Sequence, residues 1–97
     1  MEFVFDAFRI DTDRFELSGT GGRIAVEPQA LELLIHLIRN RHRLVTRDEL
    51  HQTFWEGRFV SDSALSSLVR AAREAVGDSG REQRIIETEH GRGFRFR

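Results

Sequence analysis

The apolar residues between positions 61 and 77 recur at the spacing of one helix face. They are Leu65, Leu68, Val69, Ala72 and Val76. Residues three, four and seven apart lie on one side of an α-helix, so this pattern predicts an amphipathic helix. Ser61 can cap its start by accepting a backbone N–H, and Gly77 can end it in a left-handed conformation.

The opposite face of this helix is small and polar. At about 100° per residue it presents Ser63, Ser67, Arg70 and Glu74, with Arg73 on its flank. A helix that enters a DNA groove needs small side chains for close approach and arginines that reach base edges or phosphates. An ordinary surface helix has the same pattern, so the helix alone leaves both interpretations open.

The first part of the chain has the pattern of an antiparallel sheet. Apolar alternation separated by turn residues predicts three strands, at residues 3–10, 15–18 and 23–26. Pro28 then opens a helix with a wide apolar face, because proline is tolerated in a first helical turn. We expect this to be the central, most buried helix.

A second helix follows a short connection over residues 41–45. The segment Thr46 to Glu49, T-R-D-E, is a capping box, which predicts a helix start at Arg47. This helix ends at Gly57. The connection into the third helix is longer than the turn of a compact helix-turn-helix.

The C-terminal residues have the pattern of a β-hairpin. After a polar loop at residues 77–84, apolar and charged residues alternate over 86–89 and again over 94–97. Gly91 and Gly93 flank Arg92 at the intervening turn. An arginine at such a tip can enter a narrow minor groove, where the potential is most negative. A solvated turn would look the same.

Charge adds only a weak indication of a nucleic-acid partner. The 97 residues carry a net charge of −1. Residues 1–57 hold seven arginines against ten carboxylates, whereas residues 58–97 hold eight against six, so the basic half contains the third helix and the hairpin. All fifteen cations are arginine, the side chain suited to bidentate contacts with guanine and phosphate. Codon bias in a GC-rich genome would produce the same usage.

Several classes of function have no support in the sequence. Without cysteine there is no disulfide or thiolate metal site, and no apolar run is long enough to span a bilayer. No signal peptide opens the chain, so we expect a cytoplasmic protein. His36 has no second ligand at metal spacing, and no nucleophile or phosphate-loop pattern occurs. We therefore expect no enzyme activity, no metal and no cofactor.

The order of sheet, three helices and hairpin predicts an α+β fold of the winged helix-turn-helix type. In that order the chain also resembles the OmpR/PhoB-type DNA-binding domain of bacterial transcriptional regulators. The segments that carry the resemblance are P-Q-A-L-E-L-L, L-V-T-R-D-E-L-H-Q-T-F-W, F-V-S-D-S-A-L and I-I-E-T-E-H-G-R-G-F-R-F. We expect one domain, composed of an N-terminal sheet (1–27), a three-helix core (28–77), and a loop with the wing (78–97).

The resemblance implies a double-stranded DNA partner and a role for each part. The third helix should lie in the major groove and the wing in the adjacent minor groove. The matched DNA-contacting positions are Ser63, Ser67, Arg70, Arg73, Thr88 and Arg92, with Thr46 and Arg47 near phosphate at the second helix's N-terminus. The connection matches a loop that touches RNA polymerase in some relatives; its residues are Glu56, Gly57, Arg58 and Phe59.

Departures from the family pattern keep a second hypothesis open. Many relatives have arginine or lysine where this chain has Ala71, Glu74 and His90. A glutamate there repels phosphate, although it could accept a hydrogen bond from cytosine N4. Few neutralised phosphates predict weak binding, which a homodimer or tandem sites could recover. The alternative is a winged helix that has become a protein-interaction module and has lost DNA binding.

The limits of the chain suggest its context. Met1 directly precedes the first strand, so we expect a variant without an N-terminal receiver domain. The sequence of the third helix is similar to that of regulators that carry this domain at their N-terminus. We therefore expect a piece of a longer regulator, with a stand-alone protein as the alternative.

Overall fold

Four antiparallel strands form the N-terminal sheet of the computed structural model, which describes residues 1–58 and 60–97. The strands are β1 (Glu2–Phe5), β2 (Phe8–Asp11), β3 (Glu16–Gly19) and β4 (Gly22–Ile24), hydrogen-bonded in that order. The sequence predicted one strand over 3–10, and this was wrong, because the segment folds back on itself as the β1–β2 hairpin.

The pattern of phenylalanines explains this hairpin. In one continuous strand, Phe3 and Phe5 would face the side opposite to Phe8 and Ile10. A turn at Asp6, which has φ of 50°, pairs Phe3 with Ile10 and Phe5 with Phe8. Residues paired directly across a ladder share a face, so all four side chains reach the core side.

Three helices follow the sheet. They are α1 (Pro28–Arg39), α2 (Arg47–Trp55) and α3 (Asp62–Ala75). Proline opens α1 as predicted, and seven of its residues are buried, which makes it the central helix. The apolar stripe of α3 packs against α1. No helix among the described residues is long and apolar enough to cross a membrane.

A side-chain cap stabilises the start of α2, as predicted. The cap predicted for the start of α3 does not form. Thr46 Oγ1 accepts from the Glu49 backbone N–H at 3.1 Å, which is half of the predicted capping box. The Glu49 carboxylate does not complete the box, because it binds Arg43 and His36 instead. Ser61 precedes α3 without capping it through its side chain.

A second sheet joins the wing to the helices. Its strands are β5 (Val45–Thr46), β6 (Ile86–Glu89) and β7 (Gly93–Phe96), in the order β5-β7-β6. The sequence predicted the β6–β7 hairpin but took residues 41–45 for a connection, and Val45 in fact belongs to β5. Gly93 permits this pairing, since a Cβ there would lie 2.1 Å from the Val45 carbonyl oxygen.

Candidate nucleic-acid interface

One face of α3 is free for a partner. Burial of Leu65, Leu68, Val69 and Ala72 turns the opposite side outward, as the periodicity predicted. The exposed side chains there include Ser63, Ser67, Arg70 and Glu74. Among the described residues, neither Arg70 nor Glu74 forms a hydrogen bond or an ion pair with another side chain. The face therefore offers one available cation, one available carboxylate and small hydroxyl groups.

Arg73 does not lie on this face. Its side chain is only 8% exposed and points toward the wing. Nε and Nη2 donate to the Ile86 carbonyl at 3.2 and 2.9 Å, and Nη2 also donates to Thr88 Oγ1 at 2.7 Å. Burial lowers the pKa of Arg73, and the nearby Asp78 carboxylate opposes that shift. Thr88, which is half-buried, is thus already engaged by Arg73. The resemblance implied DNA contacts for both residues, but the structure directs their polar atoms at each other.

The wing tip is exposed and positively charged. Gly91 takes φ of 71° at the turn, and Arg92 next to it is 71% exposed. Arg92 Nη1 lies 3.9 Å from the Glu89 carboxylate, a long contact that leaves the guanidinium available. Glu89 is held more closely by Arg95, at 3.0 Å. His90 is also exposed beside the tip.

The N-terminus of α2 lies between α3 and the wing. Arg47 is half-buried, with Nη2 3.5 Å from the Asp62 carboxylate and its Cζ 5.9 Å from the Phe94 ring centroid. The Arg47 backbone N–H donates to the Arg92 carbonyl at 3.2 Å. A cleft lined by both of these arginines, Thr46 and Asp62 joins the three elements. The start of α2, the start of α3 and the wing tip therefore share one side of the molecule.

The charge of this side is nearly balanced. Its described arginines include Arg47, Arg70 and Arg92, and the carboxylates near them include Asp62, Glu74, Glu89 and Asp48, which lines the same cleft. A polyanion bound here would find few cations to replace its counterions. The structure thus agrees with the near-neutral net charge of the sequence.

Glu56, Gly57 and Arg58, which begin the connection between α2 and α3, are exposed to solvent. Glu56 takes φ of 53° and Gly57 φ of 76°, which together end α2. Arg58 is 79% exposed and lies 3.4 Å from the Glu56 carboxylate. Phe59, the fourth residue of the predicted polymerase-contacting loop, lies outside the described residues.

An anchor that no local sequence pattern indicates lies three residues after α3. The buried Asp78 carboxylate accepts hydrogen bonds from the backbone N–H groups of Arg84, Ile85 and Ile86 at 2.8, 2.9 and 3.0 Å. Burial alone would raise the pKa of Asp78, but these bonds outweigh it and the pKa is lowered. Asp78 thereby fixes the start of β6 to the end of α3. Its donors lie six to eight residues away, beyond the reach of any local spacing signal.

A charged cluster that the sequence pattern does not indicate joins α1 to α2. The Glu49 carboxylate lies 2.6 Å from His36 Nε2 and accepts hydrogen bonds from both terminal nitrogens of Arg43 at 2.8 and 2.9 Å. The hydrogen bond from Arg43, with a smaller effect from His36, lowers the pKa of Glu49 to about 2. In the part of the chain that the structure describes, no group of three or more histidine, cysteine, aspartate or glutamate side chains could hold a metal ion.

Comparisons with known proteins place these features in a family. Residues 21–96 match the family profile described as "Transcriptional regulatory protein, C terminal". The chain is 27% identical over 95 residues to the transcriptional regulator HilA of Salmonella typhi, covering 98% of this chain but only 17% of the length of HilA. It therefore spans about a sixth of that relative.

Two solved structures share the fold. The response regulator DrrB of Thermotoga maritima, an OmpR/PhoB homologue, superposes with a TM-score of 0.88 at 32% identity, covering 98% of this chain and 43% of DrrB. The DNA-binding domain of Klebsiella pneumoniae RstA, solved in complex with the RstA box, gives a TM-score of 0.85 at 20% identity. That match covers 98% of this chain and 95% of the RstA domain.

Proposed function

The chain belongs to the family of transcriptional regulatory protein C-terminal domains, the OmpR/PhoB-type winged helices, and we propose that it binds double-stranded DNA sequence-specifically within a bacterial transcriptional regulator. This family consists of DNA-binding domains and not of enzymes. Bacterial DNA lies in the cytoplasm, so we propose that compartment for its action. The activity and partners of a whole regulator around this domain are part of the same proposal.

The observation that carries the proposal is the exposed face of α3. Arg70, which pairs with no other side chain that the structure describes, stands beside Ser63 and Ser67, whose small side chains let the helix approach base edges. The major groove of B-DNA admits an α-helix, and arginine is the commonest side chain to bind guanine bidentately. We assign Arg70 to a base edge and the two serines to base edges or phosphates.

The wing supplies a second contact on the same side. Arg92 is exposed at the glycine turn, and narrow A·T-rich minor grooves attract such an arginine. We assign Arg92 to the minor groove, with His90 beside it. Thr46 and Arg47 would meet phosphate at the N-terminus of α2, where the helix dipole favours an anion.

Glu74 gives the proposed interface a selective feature. Its carboxylate, which has no partner within the described part of the chain, faces the same way as Arg70 and repels phosphates. A carboxylate in the major groove can accept a hydrogen bond from cytosine N4. We propose that Glu74 lowers non-specific affinity and favours one base pair.

The balanced charge sets the expected strength of binding. With three arginines on the DNA side, the logarithm of the binding constant should fall with the logarithm of salt concentration at a slope of about −3 or shallower, since each neutralised phosphate contributes about −0.9. We propose that a homodimer or tandem sites supply the remaining affinity. We also propose that the exposed connection of Glu56, Gly57 and Arg58 is the surface available to RNA polymerase.

Selection from a random duplex library tests the proposal without knowledge of the target site. The protein is incubated with the library, bound duplexes are recovered over several rounds, and the enriched sequences are compared with those recovered by the Arg70→Ala variant. We expect a motif that wild-type protein enriches and the variant does not. A folded wild-type protein that enriches no motif would contradict DNA binding and would favour a protein-interaction module.

A further inference from the structure

A buried arginine ties the recognition helix to the wing. Arg73 leaves α3 and ends against β6, where its guanidinium binds the Ile86 carbonyl and the Thr88 hydroxyl. These bonds join two elements that contact different grooves in the proposed function. Arg73 and Thr88 are fifteen residues apart in the sequence, so nothing local forces this contact.

The attachment is reinforced on both sides. The Thr88 backbone N–H donates to Gln83 Oε1 at 2.9 Å. Asp78, whose own N–H donates to the Arg73 carbonyl at 2.8 Å, holds the start of β6 through the hydrogen bonds described above. Hydrogen bonds therefore hold the base of the wing to the end of α3, so the two elements are not joined by a flexible linker.

Thr88 lies close to the tip of the hairpin, so its contact with Arg73 can affect the position of the tip. Thr88 pairs with Phe94, and the next pair is Glu89 with Gly93, beyond which only the tip residues remain. We therefore expect a displacement of Thr88 to shift Arg92 as well. The planar guanidinium fork of arginine holds two acceptors in fixed directions, which the single ammonium of lysine does not.

From this geometry we propose that Arg73 and Thr88 are positioning residues that set the wing relative to α3, and that neither contacts DNA directly. The inference rests on the proposed function, because its consequence is the correct placement of Arg92 in the minor groove. A DNA contact through Nε or Nη2 of Arg73 would require it to abandon the buried Ile86 carbonyl, and leaving such a group unpaired is costly. A wing held in place before binding does not have to be ordered when DNA arrives.

Two conservative variants and one control separate positioning from direct contact. Thr88→Val removes the hydroxyl while keeping the branched shape, and Arg73→Lys keeps the charge while losing the fork. Thr88→Ser keeps the hydroxyl and serves as the matched control. Far-UV circular dichroism establishes that each variant is folded, and if Arg73→Lys is not, Thr88→Val carries the test alone.

The readout is the preference for A·T-rich over G·C-rich flanks around a selected site, which we attribute to Arg92. We expect Thr88→Val and Arg73→Lys to lose that preference as fully as Arg92→Ala does, and to bind about tenfold more weakly, a typical size for coupled contacts. Thr88→Ser should behave as wild type. Adding Arg92→Ala to Thr88→Val should cost little more.

A direct phosphate contact predicts a different result. Thr88→Val would then weaken binding equally on all duplexes with the flank preference intact, and Arg73→Lys would bind nearly as wild type. Either result would overturn the inference without affecting DNA binding itself.

If wild type binds no duplex, hydrogen exchange in the free protein tests whether Arg73 and Thr88 position the wing. The proposed function would then fail, but positioning still predicts faster amide exchange in β6 and β7 of Thr88→Val than of Thr88→Ser. Equal exchange rates in the two variants would refute the positioning role.

Discussion

Replacing Gly93 with alanine should weaken the pairing of the wing strand β7 with β5. A Cβ at this position would lie 2.1 Å from the Val45 carbonyl oxygen and 2.9 Å from Thr46 Cα. Ordinary carbon–oxygen contacts between strands are no shorter than about 3.3 Å, so β5 and β7 would have to separate by about 1 Å. Both neighbours are backbone atoms, and no side-chain rotation can relieve the overlap.

The size of the effect follows from what the two strands hold together. Overpacking a tight site costs about 1–3 kcal/mol. Separation also weakens the pairing of Val45 with Phe94, two buried residues, so we expect a total of about 3 kcal/mol. For a domain of this size that lowers the melting temperature by roughly 12–24 °C.

Two other glycines provide matched controls in urea or thermal unfolding. Gly91→Ala meets no atom within 4 Å but must adopt φ of 71°, so it should cost about 1–2 kcal/mol from backbone strain alone. Gly21→Ala meets neither a neighbour within 4 Å nor a positive φ, and it should change stability by no more than about 0.5 kcal/mol. If Gly93→Ala destabilises no more than Gly91→Ala, the close approach of β5 and β7 is refuted.

Three further substitutions test single groups. Glu49→Gln should lower the free energy of unfolding at neutral pH by about 1–3 kcal/mol. Because the folded pKa of about 2 lies below the ordinary 4.5, wild type loses this stability as the pH falls from about 5 toward 2. Urea unfolding across that range should show a flatter dependence for Glu49→Gln, and parallel curves would contradict the pKa shift. Asp78→Asn should cost about 1–3 kcal/mol at neutral pH in the same assay, since an amide places donors against backbone N–H groups. The lowered pKa of Asp78 means that this cost also shrinks in acid, and a constant cost would argue against it. Glu74→Gln should raise affinity for random duplexes severalfold in fluorescence anisotropy, because it removes a carboxylate facing phosphate. Unchanged affinity would place Glu74 away from DNA.

The helices could be predicted from the sequence because their signals are local. The apolar stripe of α3 repeats within four turns, Pro28 opens α1, and Thr46 lies three residues from the N–H that it caps. Each of these signals acts between residues close in sequence, so periodicity and capping rules apply directly. The exposed position of Arg70 follows from the same periodicity.

Features that depend on distant partners could not be predicted in this way. β5 is a strand only because β7, nearly fifty residues later, pairs with it. The hairpin within residues 3–10 depends on a core that is formed by the helices. Arg73 has the sequence signal of an exposed charge on the flank of the polar face, and only its partners on β6, the Ile86 carbonyl and the Thr88 hydroxyl, turn it inward.

The placement of α3 against DNA is the central claim, and one titration tests it most directly. A labelled duplex from the selected motif is titrated at low and moderate salt with wild type, Arg70→Ala and Arg23→Ala. Arg23 is 75% exposed on the N-terminal sheet. Its replacement changes the net charge by the same amount as Arg70→Ala, but at a site away from α3. We predict salt-sensitive binding that Arg70→Ala weakens by about 1–3 kcal/mol and Arg23→Ala leaves nearly unchanged. Equal weakening by both variants would contradict recognition through the exposed face of α3.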